Sequence, residues 1–298
     1  MKEEIRRLLR EKNGVLLAHN YQPAEIQDVA DWCGDSLELS MKAAQSDADL
    51  LVFCGVHFMA ETAAILCPDK AVLLPRLDAG CPMAGMITPR QLEARKQTLP
   101  GIPVVTYVNS PAAVKALSTV CCTSANAVQV VESLHVPEVL MTPDRNLARY
   151  VASRTKTRVH FWDGCCPIHD AIRATDVHQA KNAHPQAIVM AHPECRMEVL
   201  ELADQVLSTS GMLRFAKASN HREFIVGTET GLLHSLRKEN PGKTFYPLSD
   251  RMLCPDMKKI ALADVLHCLK TLQGRVRVPE DIRKSALGAV QRMLKVTG

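Results

Sequence analysis

Large aromatic side chains are scarce in this chain, 4% of the total with two tryptophans, which leaves no row of stacking platforms for bases. Clustered positive charge is missing as well. The 36 Lys and Arg face 32 Asp and Glu, and the net charge of +4 is spread over 298 residues, so a basic nucleic-acid stripe is excluded. Neither a phosphate-binding P-loop nor a G-x-G-x-x-G fingerprint occurs, which removes the common nucleotide sites. The apolar run after the amphipathic N-terminal segment, Val15 to Ala18, is too short for a signal-peptide core or a membrane span. The expectation is a cytoplasmic protein with no membrane and no nucleic-acid partner. Its modest positive balance is compatible with small anionic substrates.

Cysteine, by contrast, is plentiful, with 11 residues. In a reducing compartment these stay as thiols, and an odd count with two adjacent pairs, Cys121-Cys122 and Cys165-Cys166, makes a poor disulfide framework. Three cysteines share a context. Cys81-Pro82, Cys166-Pro167 and Cys254-Pro255 each end an apolar run and open a helical turn, and they lie 85 and 88 residues apart. Cys67-Pro68 repeats the dipeptide out of register and reads as a buried thiol. Three thiolates at a common point suit zinc or iron-sulfur. The close C-x2-C spacing of structural zinc is absent. A 4Fe-4S cluster ordinarily takes four cysteines; held by three, it would keep one iron open as a Lewis acid.

The rest of the chain keeps the same register. Short apolar strands end in polar tips at His19, Asn109 and His192. Ser36, Ser124 and Thr209 follow 17, 15 and 17 residues later, and the next strand tips, at Gly55, Pro143 and Gly227, come 19, 19 and 18 residues after those. Strands alternating with helical segments predict an α/β fold of parallel sheets flanked by helices. Ligands in such sheets bind outside the carboxyl ends of the strands, where all the polar tips and all three Cys-Pro loops fall. Three units, 1–99 with Cys81, 100–185 with Cys166 and 186–298 with Cys254, would therefore pool their tips around a central pseudo-threefold site. Locally, Asp28 to Cys33 reads as a short helix, and Thr88-Pro89 as the N-cap and first residue of another. Met257 to Gln273 and Pro279 to Leu294 read as two helices that buttress the third unit.

Ser36, Ser124 and Thr209 stand immediately before helices, where N-capping is their ordinary use. Gathered at one cavity, their hydroxyls and the free N–H groups behind them would instead receive carboxylates or a phosphate. His19 and His192 occupy matching tips. Glu194 is the best-placed candidate for a general base, with Tyr21 as an acid and His169 tuning the metal group from behind its ligands; Glu229 stays unassigned. A hydro-lyase acting on another polycarboxylate and a non-catalytic iron-sulfur or zinc sensor both remain open, although a sensor has no need of convergent Ser, Thr, His and Glu tips.

These residues lie within segments that resemble the quinolinate synthase family over nearly the whole chain: AHNYQ (18–22), GDSL (34–37), CGVHFMAET (54–62), CPMA (81–84), YVNS (107–110), CTSANA (122–127), PDRNL (143–147), CCPIH (165–169), HPEC (192–195), STSG (208–211), GTETG (227–231) and CPDMK (254–258). The resemblance implies three Rossmann-like three-layer αβα domains related by pseudo-threefold symmetry. It also implies one 4Fe-4S cluster on Cys81, Cys166 and Cys254 with an open iron. The implied reaction condenses iminoaspartate with dihydroxyacetone phosphate to quinolinate, releasing phosphate and two waters, in de novo NAD biosynthesis. Substrate contacts implied are His19, Ser36, Tyr107, Asn109, Ser124, His192, Glu194 and Thr209, with Glu194, Tyr21 and His192 as catalytic candidates. The imine is unstable in water, so an aspartate-oxidising enzyme would have to supply it.

Overall fold

Continuous apolar runs such as Leu50 to Cys54, buried along their whole length, need cover on both faces, which a parallel sheet between helical layers provides. The computed structural model describes residues 1–296 and builds this arrangement three times. The first sheet holds β1 (Gly14–His19), β2 (Trp32–Gly34), β3 (Leu50–Cys54) and β4 (Ala71–Leu73). The second holds β5 (Val104–Tyr107), β6 (Val120–Cys122), β7 (Glu138–Thr142) and β8 (Arg158–Phe161). The third holds β9 (Ile188–Ala191), β10 (Gln205–Val206), β11 (Glu223–Gly227) and β12 (Thr244–Pro247). Their spatial orders, β2-β1-β3-β4, β6-β5-β7-β8 and β10-β9-β11-β12, are the same path, and every pairing within the sheets is parallel.

The repetition reaches single hydrogen bonds. Near the start of each unit's first strand a backbone N–H is received by a side chain 15 residues further on: Leu16 by Asp31 (2.8 Å), Val104 by Thr119 (3.0 Å) and Val189 by Asp204 (2.8 Å). Each acceptor stands just before the second strand and fixes where that strand begins. Among the described residues no helix is long and apolar enough to cross a membrane.

Three local expectations are corrected. Asp28 to Cys33 is not a helix: the helix runs Ala24–Val29, and Trp32–Gly34 is an edge strand paired with β1. Pro23, as N-cap, starts the helix earlier than the apolar spacing indicated. Met257 to Gln273 divides into a 3-10 turn, Asp256–Lys258, and a helix, Leu262–Thr271. These C-terminal helices also support the first two units rather than the third. Lys270 pairs with Glu4 (2.7 Å), Arg275 bridges to Leu73 on the outer strand β4, and Asn126 Nδ2 donates to the Met293 carbonyl (3.2 Å). Covering β4 blunts an exposed sheet edge. The Thr88-Pro89 helix start is present, closed by a capping box with Gln91.

Candidate functional site

Each Cys-Pro dipeptide opens a short helical turn, Met83–Met86, Pro167–Asp170 or Asp256–Lys258. Proline costs nothing there because first-turn N–H groups have no partner within the helix. The N–H groups that follow turn onto the thiols: Ala84 and Met83 donate to Cys81, His169 to Cys166, and Met257 and Asp256 to Cys254. Burial outweighs those donors and pushes all three thiols up, Cys81 to about 12. The Glu194 carboxylate adds to the effect at Cys81 and Cys166. Thiols so placed ionise only when a bound cation supplies the opposing charge.

The three cysteines line one apolar cavity of about 240 Å³, and no other cysteine lines it among the described residues. A single water needs roughly 10–15 Å³ by this measure, so the space admits a group much larger than one ion. Soft donors, an apolar wall and N–H groups facing each sulfur fit an iron-sulfur group with three protein ligands. Cys166, His169 and Glu194 also converge, with ligand atoms within 4.8 Å of one another. Hydrogen bonds account for that convergence: His169 Nδ1 lies 2.8 Å from Glu194 Oε2 and 3.2 Å from Cys166 Sγ.

A second, polar lobe of about 40 Å³ adjoins the first. Tyr21, Phe58, Asn109, Glu194 and Met257 line both lobes, making them parts of one site. The polar lobe gathers His19, Tyr21, Ser36, Tyr107, Asn109, Ser124, His192, Glu194 and Thr209, every substrate or catalytic candidate named from the sequence. Their hydrogen bonds cross the units: Asn20 Nδ2 donates to Thr209 Oγ1 (3.0 Å) and His192 Nε2 meets Ser124 Oγ (3.1 Å). Capping falls to neighbours of the three hydroxyl residues. Asp35 caps Ser36–Gln45, Ser208 caps Thr209–Ala218, and Asn126 precedes Ala127–Ser133. The Ser36 hydroxyl is thereby left to the cavity, and Ser124 and Thr209, whose oxygens accept from His192 and Asn20, keep their O–H groups for it.

The two histidine tips repeat one device. Nδ1 of His19 accepts from the Tyr21 N–H (3.1 Å) and Nδ1 of His192 from the Glu194 N–H (3.3 Å), so each ring carries its proton on Nε2. Burial, reinforced at His19 by His192 and Lys258 and at His192 by His169, lowers both to about 3 and keeps them neutral. Burial also works to raise the Glu194 carboxyl, but the neighbouring histidines, a hydrogen bond from His169 and the nearby Tyr107 hydroxyl outweigh it and hold the group below the ordinary range. His192 is neutral and 3.5 Å away; His169, at 2.8 Å, is the partner that matters.

From His169 a continuous chain runs onward. Its Nε2 meets Thr228 Oγ1 (3.0 Å), which meets the Tyr21 hydroxyl (2.5 Å). Thr228 Oγ1 is thus the link between the His169 ring and the Tyr21 hydroxyl, and each hydroxyl can donate in either direction along the chain. Two buried acceptors on the shared wall, Glu194 Oε1 and Asn109 Oδ1, have no partner. Such orphans are unusual in a folded chain and mark where a ligand's donors belong. Sequence reasoning missed Thr228. It stands beside the repeat glycine Gly227 at a strand tip, the one signal available for it.

A family model described as NadA, quinolinate synthetase A protein, matches residues 3–295. A protein named quinolinate synthase from Geotalea uraniireducens (strain Rf4) is 54% identical over 296 residues, covering 99% of this chain and 97% of that protein. Proteins of the same name from Thermodesulfovibrio yellowstonii, over 293 residues, and Methanoregula boonei, over 294 residues, are also 54% identical. They cover 98% and 99% of this chain and 97% of their own lengths.

Proposed function

The chain belongs to the quinolinate synthase family, and from that premise we propose that the two-lobed cavity is where it builds its product. It is an enzyme of NAD biosynthesis acting on small molecules. Iminoaspartate and dihydroxyacetone phosphate combine to give quinolinate, phosphate and two waters, a balance that requires no external oxidant or reductant. The observation that carries this reading is the wall formed by Tyr21, Asn109 and Glu194, which belongs to both the thiol lobe and the polar lobe.

On this reading Cys81, Cys166 and Cys254 would hold a 4Fe-4S cluster, which would supply Lewis acidity to the site. The chain's own residues do the remaining work. The hydroxyls of Ser36, Ser124 and Thr209 and the Nε2–H group of His19 donate to substrate carboxylates or phosphate, which they orient in a dry site, while His192 Nε2–H holds the Ser124 oxygen and turns its O–H toward the substrate. Asn109 Oδ1 receives a substrate N–H or O–H, and the Tyr107 hydroxyl lines the lobe beside Glu194. Oε2 of Glu194 is taken by His169, so Oε1, unpartnered on the shared wall, is the atom that takes a proton from substrate carbon. Tyr21, at the far end of the chain through Thr228 and His169, returns a proton to a departing oxygen.

The three repeats then correspond to 1–99, 100–185 and 186–298, each contributing one thiol and one set of tips. Because the imine hydrolyses in water, a reaction that oxidises aspartate must feed the site. The test supplies iminoaspartate, generated in place, and dihydroxyacetone phosphate to anaerobically purified, iron-loaded protein. Quinolinate should accumulate with matching phosphate release. Loaded protein that yields none contradicts the proposal.

A further inference from the structure

Equivalent backbone bonds tie each thiol loop to the strand tip beside it. The N–H groups of His57, Arg145 and Thr230 donate to the carbonyls of Ala79 (2.8 Å), Gly164 (2.8 Å) and Met252 (2.8 Å), each two residues before a cysteine of the triad. The residue before each donor is Val56, Asp144 or Glu229, and there the symmetry breaks. All three are buried, at 2%, 2% and 1% exposure, but only two are acids.

Asp144 Oδ2 accepts from the Cys166 N–H (3.3 Å), while its Oδ1 holds the N–H groups of Asn146 (2.7 Å) and Leu147 (3.0 Å). Glu229 Oε1 accepts from the Cys254 N–H (3.1 Å), its Oε2 from the Gly231 N–H (2.8 Å), and Lys258 Nζ sits 2.9 Å from Oε1. Each carboxylate therefore joins a helix start or turn on one side to a cysteine's own backbone on the other. Val56 can do neither. The first unit is fastened differently, through the Gly80 N–H to Asp256 Oδ1 of the third unit (3.3 Å), with Asp256 held by Lys259 (2.7 Å). The fit is close at Gly164, where a Cβ would come within 2.5 Å of the Pro143 carbonyl oxygen, so the second loop has no slack to relocate.

Each acid opposes ionisation of the thiol beside it, so its charge does not explain its place; the hydrogen bonds it accepts do. We propose that Asp144 and Glu229 are positioning residues for the metal group, each fixing one thiol, Cys166 and Cys254 respectively, by holding that cysteine's backbone N–H. Cys81 is positioned instead across the unit boundary by Asp256. This rests on the cluster reading above, and concerns residues with no place in the substrate lobe.

Loss of an outer hydrogen-bond partner typically weakens metal holding roughly 10–100-fold. Anaerobically loaded parent, Asp144→Ala, Asp144→Asn, Glu229→Ala and Glu229→Gln proteins are exposed to a ferrous chelator and iron release is timed. The alanine variants should release iron roughly 10–100-fold faster than the parent. Asparagine and glutamine, which keep one acceptor oxygen where the acids use two, should restore part of the difference. In the metal-free chains, iodoacetamide labelling mapped by mass spectrometry should speed up at Cys166 alone in Asp144→Ala and at Cys254 alone in Glu229→Ala, with Cys81 unchanged in both. Parental release rates in the alanine variants, amides as fast as alanines, or labelling that rises at all three thiols together would overturn the assignment. A parent that retains no iron at all sinks the cluster reading itself, and the assignment with it.

Discussion

Replacing Thr228 by Val removes one oxygen while keeping the shape of the side chain, and that oxygen is the middle of the chain from Tyr21 to Glu194. Two hydrogen bonds are lost together, to the Tyr21 hydroxyl at 2.5 Å and to His169 Nε2 at 3.0 Å. Leaving a buried polar group unpaired costs about 1–3 kcal/mol, so two such groups bring the total to about 2–6 kcal/mol. Tyr21 is 9% exposed and borders the cavity, where water can replace one bond. His169, at 1% exposure, has no such relief, which places the expectation near the lower end, about 2–3 kcal/mol. At about 2 °C per kcal/mol for a chain of this size, the melting temperature should fall by about 4–6 °C. Turnover should fall further, by about 10²–10⁴-fold, if the chain carries a proton in the rate-limiting step. The assay pairs thermal unfolding with quinolinate formation by iron-loaded protein, for Thr228→Val and Thr228→Ser. Serine should restore both quantities to near parental values. A valine variant with parental turnover would remove the Tyr21–Thr228–His169 chain from the mechanism, however far its melting temperature dropped.

Glu194→Gln should keep its iron and lose about 10²–10⁴-fold in kcat, the usual range for a general base; parental turnover with iron bound would exclude Glu194 from that role. Selectively ¹⁵N-labelled histidines in the metal-free chain should show His19 and His192 neutral and protonated on Nε2 at pH 5, given that burial holds both near 3; an imidazolium signal from either contradicts the tautomer assignment. Asp28, pulled down to about 2 by hydrogen bonds from Lys238 (2.7 Å) and His234 (3.0 Å), joins the first and third units. Its folded value lies below the unfolded one of 3.8, so its contribution is complete above about pH 4 and disappears as the pH falls toward 2. Its side chain is 33% exposed, so screening limits the gain to about 0.5–1 kcal/mol. Unfolding free energies from denaturant titrations of the parent and Asp28→Asn should differ by that amount at pH 6 in low salt and converge in 1 M NaCl.

The long strands, the order of repeats and the cavity's polar lining were legible in the sequence because they rest on apolar runs and on recurrence, two signals that survive without coordinates. The second strand of each unit was not. Trp32–Gly34, Val120–Cys122 and Gln205–Val206 are two or three residues long, too short for any periodicity to show. The threefold recurrence of Asp31, Thr119 and Asp204, each 15 residues past its donor, marked their starts but mixes two residue types. Ser36 and Thr209 stood where caps usually stand, yet their recurrence pointed them to the cavity; the caps themselves, Asp35 and Ser208 one residue earlier, were not picked out. The C-terminal helices were assigned to the unit they follow in sequence, whereas packing placed them against β4 and Asn126 in the first two units. Thr228, Asp144 and Glu229 act through partners 22 to 207 residues away, a relation no local pattern contains.

The central claim is that three cysteines, one from each repeat, hold an iron-sulfur cluster with one iron left open. Iron, sulfide and zinc content of anaerobically purified protein, with EPR of the reduced state, tests it most directly when run on the parent and on Cys81→Ala, Cys166→Ala, Cys254→Ala and Cys165→Ala. The account requires about four irons and four sulfides per chain in the parent and in Cys165→Ala, and loss of the cluster in each of the other three variants. Stoichiometric zinc without sulfide, or a cluster that survives removal of any one of Cys81, Cys166 and Cys254, would contradict it.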